Sequence, residues 1–127
     1  AGSKNVLELH GTIYKNHCIK CKKEYGAENI FNSEDIPRCE CGSIIKPNVV
    51  LYGEMLPEDF VLAENYISEC DMLIVAGTSL TVEPAASLIN YFRGKSLVII
   101  NNDETPYDKR ATLIINEDLT KVFKLLS

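Results

Sequence analysis

The pattern of apolar and polar positions in the second half of the chain predicts three strands separated by helical segments. Met72 to Ala76 is an unbroken apolar run that ends at Gly77, as is typical of a strand buried on both faces of a parallel sheet. Ser96 to Asn101 and Ala111 to Ile115 predict two further strands. Because these strands alternate with helical patterns, we expect crossover connections and a parallel sheet.

Three predicted helices accompany the strands. Pro57 opens the first, and Pro84 to Phe92, stopped by Gly94, forms the second. Asp118 is a suitable N-cap for the third. The apolar stripes have helical spacing and consist of Phe60, Ala63, Ile67 and Cys70 in the first helix, Leu88, Ile89 and Phe92 in the second, and Leu119, Val122, Phe123 and Leu126 in the third.

The elements predicted in the first half are shorter. Asn5 to His10 predicts a strand or an extended entry, closed by Gly11. Ala27 to Phe31 is long enough for a helical turn or two, and the apolar run from Asn48 predicts a strand that ends at Gly53.

Two close cysteine pairs lie in this first half, Cys18 with Cys21 and Cys39 with Cys41, separated by seventeen residues. This is the spacing of a zinc ribbon, in which each pair brings two thiolates to one tetrahedral ion. Nothing in the sequence offers the metal an acid, a base or an open position, so the zinc is expected to be structural. The alternatives are four buried cysteines without metal, or His17 as a substitute ligand.

Composition narrows the class of protein. The 127 residues carry a net charge of -5, which argues against non-specific binding of nucleic acid. No apolar run reaches membrane-spanning length, and residues 1–4 lack the layout of a signal peptide. An odd number of cysteines without a secretory signal favours a metal site in a reducing cytoplasm over a disulfide framework. The fifth cysteine, Cys70, is then expected to be a core residue.

Small or polar residues follow each predicted parallel strand: Gly77-Thr78-Ser79, then Asn101, then Asn116 to Asp118. Ligands of open parallel sheets bind at the carboxyl ends of the strands. A glycine turn that leads into a helix presents backbone N–H groups to an anion, although a plain strand-to-helix turn has the same sequence pattern. A nucleotide is the ligand that such residues suit.

Several segments occur together in an order that resembles one family. They are Glu8 to Gly11, the two cysteine pairs, Lys46 to Glu54, Gly77 to Leu80 with Val82 and Pro84, and Ile100-Asn101 through Thr105 to Asp108. As a set they resemble the sirtuins, the NAD-dependent protein lysine deacylases of the Sir2 type, over practically the whole chain. The resemblance implies an α/β fold: the second half of a Rossmann-like parallel sheet at residues 1–14 and 47–127, with an inserted small zinc-ribbon module at residues 15–46.

The resemblance also implies the chemistry. His10 would be the general base, which removes a proton from a ribose hydroxyl of NAD after the acyl oxygen of the substrate lysine has expelled nicotinamide. One strand would line the acyl-lysine channel and pair with the substrate backbone. This strand would supply Val50, Tyr52, Gly53 and Glu54. Val82 would lie on the opposing loop, so that the peptide adds as a strand between two edges.

The cofactors and their ligands follow from the same resemblance. NAD phosphate and ribose would be contacted by Gly77, Thr78 and Ser79, the adenosine side by Asn101, and the adenine edge by Asp118. The structural zinc would be bound by Cys18, Cys21, Cys39 and Cys41. The protein partner would be an acyl-lysine protein or peptide, with no membrane and no direct nucleic-acid partner.

The chain departs from the family pattern in three ways. Leu51-Tyr52 replaces the usual Trp-Phe, and Glu117 stands where Gly is frequent. The Gly-Ala-Gly-Ile-Ser loop and the Asn-Ile-Asp segment of the family do not occur in the 127 residues. We therefore expect the C-terminal half of such an enzyme, inactive alone and associated with a missing N-terminal half or a swapped copy. The alternative is a non-catalytic zinc-ribbon binding module for an acyl-lysine peptide or a nucleotide.

Overall fold

A computed structural model describes residues 2–125, and the chain divides into two compact units, Ala1–Phe60 and Val61–Ser127. The elements in chain order are β1 Gly11–Cys18, β2 Glu24–Gly26, α1 Glu28–Phe31, β3 Ile45–Val49, α2 Asp59–Glu69, β4 Met72–Ala76, β5 Ser96–Ile100, β6 Leu113–Ile115 and α3 Leu119–Lys124, with 3₁₀ helices at Ala85–Tyr91 and Asp108–Arg110. Within residues 2–125, every helix is too short or too polar to cross a membrane.

The first unit is built on an antiparallel sheet with the strand order β2-β1-β3. Pairing of β1 with β3 shifts between Thr12 and Asn16, which leaves a bulge in β1. The Asn16 side chain is buried and stabilises the bulge, because its amide donates to the carbonyl oxygens of Ile13 at 3.1 Å and Tyr25 at 3.4 Å. Pro47 is tolerated in β3 because β3 is an edge strand of this sheet.

Of the two alternatives predicted for Asn5 to His10, a strand or an extended entry, the strand is not formed: the segment ends in a turn in which the Gly11 N–H donates to the Glu8 carbonyl at 2.7 Å, and β1 begins only at Gly11. A second prediction in this unit is wrong in position. The predicted strand from Asn48 to Gly53 ends at Val49. Val49 pairs with Gly11, the first residue of β1, so β3 has no strand partner beyond that point. The short helix predicted at Ala27 to Phe31 is confirmed by α1.

Gly11 lies at a position of this sheet where a side chain does not fit. Its φ is +77°, and a Cβ there would lie 1.8 Å from the Asn48 carbonyl oxygen. Gly11→Ala is therefore expected to lower the free energy of unfolding by more than about 2 kcal/mol, measured by denaturant titration. Gly53→Ala is the matched control, because Gly53 has a φ of +84° and open space around it. Equal losses in the two variants would contradict the role of the close approach.

The second unit contains the predicted parallel sheet, with the order β4-β5-β6 and both strand pairs parallel. Side chains from the middle strand and from the β4–β5 connection form its core: Leu80, Ile89, Phe92, Leu97 and Ile99. Ile67 and Cys70 are partly buried and pack against this core. The prediction that Cys70 is a core residue is therefore confirmed.

The prediction that Met72 to Ala76 is buried on both faces is wrong for this chain. Met72 and Ile74 are 54% and 50% exposed. In residues 2–125, β4 is an edge strand that pairs only with β5, and the alternate side chains Met72 and Ile74 on one of its faces are only half covered. An apolar run indicates that a strand belongs in a buried sheet, but it does not indicate which segments cover that sheet.

The helices of this unit follow the predictions with shifted ends. The segment from Pro84 to Phe92 forms a 3₁₀ helix rather than an α-helix, but its predicted face of Leu88, Ile89 and Phe92 is buried. The α2 helix and β6 each begin two residues later than predicted, at Asp59 and Leu113.

Asp118 caps α3 as predicted. Its carboxylate accepts from the backbone N–H of Thr120 at 2.8 Å and of Lys121 at 3.3 Å. Val122 is buried and Phe123 is 46% exposed, while Leu126 lies outside the described residues.

Candidate functional site

Two turns of the first unit bring four cysteines together. Cys18 ends β1, and Cys21 follows in a turn in which the Lys22 N–H donates to the Cys18 carbonyl at 3.1 Å. In the second turn the Gly42 N–H donates to the Cys39 carbonyl at 2.8 Å. Gly42 has a φ of +81°, which glycine adopts without strain. The tighter spacing of Cys39 and Cys41 is thus accommodated by a glycine turn.

The four sulfur atoms are arranged as a tetrahedral metal site requires. The Sγ atoms of Cys18 and Cys41 are 3.5 Å apart, as are those of Cys21 and Cys39, and all four lie within 4.8 Å of one another. Zn–S bonds of about 2.3 Å place the sulfurs of a tetrahedron about 3.8 Å apart. All four cysteines are free thiols, so the donor set, its number and its spacing fit one zinc ion with no position left for water.

One backbone hydrogen bond favours the thiolate form of Cys18, and metal binding requires thiolates. The Cys21 backbone N–H lies 3.4 Å from the Cys18 Sγ and is the main reason that the pKa of the Cys18 thiol falls to about 6. The nearby Tyr25 side chain lowers the pKa of the Cys39 thiol, and Cys39 raises the pKa of Tyr25 to about 12. The Lys23 backbone lowers the pKa of Cys21, but the neighbouring Cys18 and Cys39 thiols together with burial raise it to about 11. Cys18 and Cys39 are the two buried members of the set.

His17 is not a fifth candidate ligand. Its Nδ1 lies 2.5 Å from the Oδ1 of Asn48, and within residues 2–125 the metal-ligand cluster consists of the four cysteines without it. The ligand set predicted from spacing, with four cysteines and no histidine, is the one that the fold assembles.

His10 and the segment predicted to bind an acyl-lysine lie side by side in the first unit. The Val50 N–H donates to the His10 carbonyl at 3.0 Å, immediately after the last β1–β3 pair, Gly11 with Val49. The His10 side chain is exposed, and His10 directly precedes β1. The fold thus places the backbone of His10 beside the start of residues 50–54.

Residues 50–54 form an exposed turn, in which Val50 alone is half-buried. Tyr52 is 106% exposed and Leu51 is 56% exposed. Gly53 has a φ of +84° and lies in the turn, and the Glu54 N–H donates to the Leu51 carbonyl at 3.0 Å. These exposed apolar groups suit a surface that receives an extended chain. Val82, the residue predicted to oppose this segment, belongs to the second unit and is 64% exposed.

The predicted cofactor-binding residues meet at the carboxyl edge of the parallel sheet in the second unit. The Gly77 N–H donates to the Ile100 carbonyl at 2.9 Å, and the Asn101 N–H donates to the Ile115 carbonyl at 3.1 Å. Asn116 Nδ2 donates to the Asn101 carbonyl at 3.3 Å. The three strand ends are therefore in direct contact, and Asp118 follows as the cap of α3.

The loop after β4 is shaped by a glycine and by local hydroxyl contacts. Gly77 has a φ of +65°, and a Cβ there would lie 2.6 Å from Leu119 Cδ1 of α3. The Thr78 hydroxyl accepts from the Leu80 N–H at 3.2 Å, and Ser79 Oγ lies 2.7 Å from Thr81 Oγ1. Residues 77–79 are exposed at the carboxyl edge of the sheet, while the Gly77 N–H itself is used by the Ile100 carbonyl.

Two residues that sequence reasoning missed also belong to these sites. Tyr25 packs against the buried cluster that contains Cys39 and lowers the pKa of the Cys39 thiol, and Lys46 donates to Glu54 of the exposed turn at 2.9 Å. Lys46 was recognised only as part of a motif, with no role of its own. A lysine and a glutamate eight residues apart match no helix or strand spacing that predicts a contact. Their contact becomes evident only from the turn that the chain makes between them.

Comparison with known proteins identifies the family. Residues 1–84 match the model of the Sir2 family. An NAD-dependent protein deacetylase of Clostridium acetobutylicum is 50% identical over 127 residues, which cover 98% of this chain and 52% of the relative.

Solved structures give the same result. A structure of Sir2 with a p53 peptide and NAD+ is 41% identical, with a TM-score of 0.89 over 98% of this chain and 55% of the other. One of Sir2Tm bound to a propionylated peptide is 41% identical, with a TM-score of 0.90 over 98% of this chain and 56% of the other.

The chain belongs to the Sir2 family, and it spans about half the length of the curated relatives it matches. The sirtuin resemblance of the motifs is thereby confirmed. So is the α/β class, with its parallel sheet and its cysteine-rich module.

Proposed function

We propose that this chain supplies the acyl-lysine-binding segment, the general base and part of the NAD site of an NAD-dependent protein lysine deacylase. The observation that carries the proposal is the hydrogen bond between the Val50 N–H and the His10 carbonyl, which holds the base beside the substrate segment in a member of the Sir2 family. The relatives named above are an NAD-dependent deacetylase and sirtuins bound to peptides or NAD+.

Each group of residues has a distinct task in this proposal. His10 accepts a proton from a ribose hydroxyl, which an imidazole does well near neutral pH. Val50, Tyr52, Gly53 and Glu54 bind the acyl-lysine peptide, and Val82 is a further peptide-binding residue. NAD is bound at the carboxyl edge of the parallel sheet by Gly77, Thr78, Ser79, Asn101 and Asp118. Zinc at the four cysteines is structural, and the thiolates call for a reducing compartment, for which we propose the cytoplasm.

A second candidate function is a binding module without catalysis, which recognises an acyl-lysine peptide through the exposed turn at residues 50–54. It is favoured only by the exposure of Leu51 and Tyr52, and it leaves His10 without a task. The two functions differ in turnover: a binding module retains the acylated peptide unchanged, whereas a deacylase converts it when NAD+ is present.

The direct test is a deacylation assay on the longer protein that carries this chain, with an acetyl-lysine peptide in the presence and absence of NAD+. Mass spectrometry is expected to show loss of the acetyl group only when NAD+ is added. Deacylation that proceeds without NAD+ would overturn the proposal. Peptide binding without turnover in the presence of NAD+ would support the binding module instead.

We further propose that the outer edge of β4 is covered by the remaining half of the same protein, or else by a swapped second copy. The edge is unpaired in residues 2–125, and Met72 and Ile74 leave apolar surface exposed beside it. Unpaired apolar strand edges are a ready template for association.

On its own, the 127-residue chain is accordingly expected to self-associate and to lack NAD-dependent activity. Size-exclusion chromatography with light scattering and a deacylase assay measure the two properties. Ile74→Lys is the matched variant, because a charge on an edge strand opposes pairing and should shift the chain towards monomer. A monomer of 14.2 kDa that deacylates lysine with NAD+ would contradict the expectation.

A further inference from the structure

Lys46 and Glu54 form a clamp around the exposed turn. The Lys46 Nζ donates to the Glu54 Oε2 and to the Val49 carbonyl, both at 2.9 Å. The same Glu54 oxygen accepts from the Leu51 N–H at 2.9 Å. One carboxylate oxygen of Glu54 therefore connects the end of the turn to Leu51, near its start, and to Lys46 on β3.

The clamp differs from an ordinary surface ion pair. Exposed lysine–glutamate pairs contribute little by Coulomb attraction alone, because water screens them. Here the Lys46 and Glu54 side chains are 23% and 41% exposed, and each also bonds a backbone group. The Leu51 N–H, followed by Lys46, lowers the pKa of the Glu54 carboxyl. The carboxylate is therefore held in its charged form as an acceptor.

Little else fixes the conformation of residues 50–54. The β3 strand ends at Val49, and Leu51 and Tyr52 are exposed and pack into no core. The remaining backbone bonds are from Val50 to the His10 carbonyl and from Glu54 to the Leu51 carbonyl. Gly53, at a φ of +84°, adds flexibility rather than restraint. Side-chain bonds from Lys46 and Glu54 are thus a large share of the restraints on this turn.

We propose that Lys46 and Glu54 are positioning residues that hold the turn at residues 50–54 in the conformation that receives an acyl-lysine peptide next to His10. The functional part of this inference rests on the proposed deacylase function; the clamp itself does not. Glu54 acts through the Leu51 backbone rather than by contacting the substrate with its carboxylate. An ordered turn lowers the conformational cost of binding, so the clamp affects peptide affinity more than the chemical step.

The test uses the longer protein that carries this chain and the variants Lys46→Met, Glu54→Ala and the double variant. Each single variant is expected to raise the KM for an acetyl-lysine peptide about 10-fold, the loss of one hydrogen bond to a charged group. The KM for NAD+ should stay unchanged. The double variant should resemble either single one, because both substitutions remove the same clamp. Lys46→Arg keeps the positive charge and the donors and should recover most of the affinity.

Hydrogen exchange of backbone amides, followed by NMR, tests the clamp without reference to activity. The Leu51 amide should exchange about 10-fold faster in Glu54→Ala. Lys23→Met is the matched control, because Lys23 forms a lysine–glutamate pair of the same unit with Glu40, at 2.7 Å, rather than with Glu54. If Lys46→Met fails to fold, Glu54→Gln, which keeps the shape of the side chain and loses its charge, takes its place.

The outcomes separate the clamp from the proposed function. An unchanged Leu51 exchange rate in Glu54→Ala overturns the clamp, whether or not the protein deacylates peptides. A normal peptide KM in both single variants, in an active enzyme, overturns the positioning role. Absence of NAD-dependent turnover in the unmodified protein overturns the proposed function, and faster Leu51 exchange in the variant then still supports the clamp.

Discussion

Replacing His10 with alanine is expected to lower NAD-dependent deacylation by the longer protein about 10²- to 10⁴-fold, the usual effect of losing a general base. The side chain is exposed, and the backbone carbonyl rather than the ring holds Val50. The substitution therefore removes the imidazole without breaking the contact between residue 10 and the substrate segment. Rates with a saturating acetyl-lysine peptide and NAD+ measure the effect.

The second histidine provides the control for this prediction. His17 bonds Asn48 through its ring and has no proposed part in catalysis, so His17→Ala should leave the rate within a few-fold of the unmodified protein. Peptide affinity, measured by fluorescence anisotropy, should be largely retained in His10→Ala. Near-normal turnover in His10→Ala would remove this residue from the mechanism.

Loss of the zinc site is expected to unfold the module around it. The buried core of the first unit is small and consists of Cys18, Cys39 and Ile45, with Tyr25 and Ile30 packed against it. Two of its three buried residues are thus proposed metal ligands. Structural zinc contributes about 10–16 kcal/mol in small zinc modules, far more than such a core supplies. Cys18→Ala should therefore abolish stoichiometric zinc binding and unfold residues 11–49.

Hydrogen exchange and metal analysis measure this second effect. Amides of β1 and β3 should lose protection in Cys18→Ala, whereas amides of β5, which lies inside the parallel sheet of the second unit, should stay protected. Cys70→Ala is the matched control, because Cys70 packs against the core of the second unit and lies outside the cysteine cluster. One zinc per chain bound by Cys18→Ala, with β1 still protected, would be the contrary result.

The elements that sequence predicts well here are those whose signal is local. The runs Met72 to Ala76 and Ser96 to Ile100 form strands because apolar residues in succession suit a parallel sheet. Asp118 caps a helix because its carboxylate reaches N–H groups two and three residues ahead. The cysteine cluster was predictable because metal geometry imposes the spacing on each pair.

The elements that were missed depend on partners distant in sequence. The strand β1 was not predicted, since its polar residues fit a strand only opposite β3, and the predicted strand at Asn48 to Gly53 ends early for the same reason. The exposure of Met72 and Ile74 depends on which segments cover that face of β4, and the sequence of β4 does not show this. For the candidate site, motifs indicated His10 and residues 50–54, but Lys46 acquires its role only through the fold of the turn that joins it to Glu54.

The most direct test of the central claim is the stoichiometry of the reaction. The longer protein should release one nicotinamide for every acyl group that it removes from a lysine peptide, because the proposed reaction couples NAD cleavage to acyl transfer. Liquid chromatography with mass spectrometry quantifies nicotinamide, NAD+ and both forms of the peptide in the same sample. A ratio of one, lost together with all turnover in His10→Ala, is the predicted result. Deacylation without nicotinamide release, or nicotinamide release that does not require the peptide, would contradict the account.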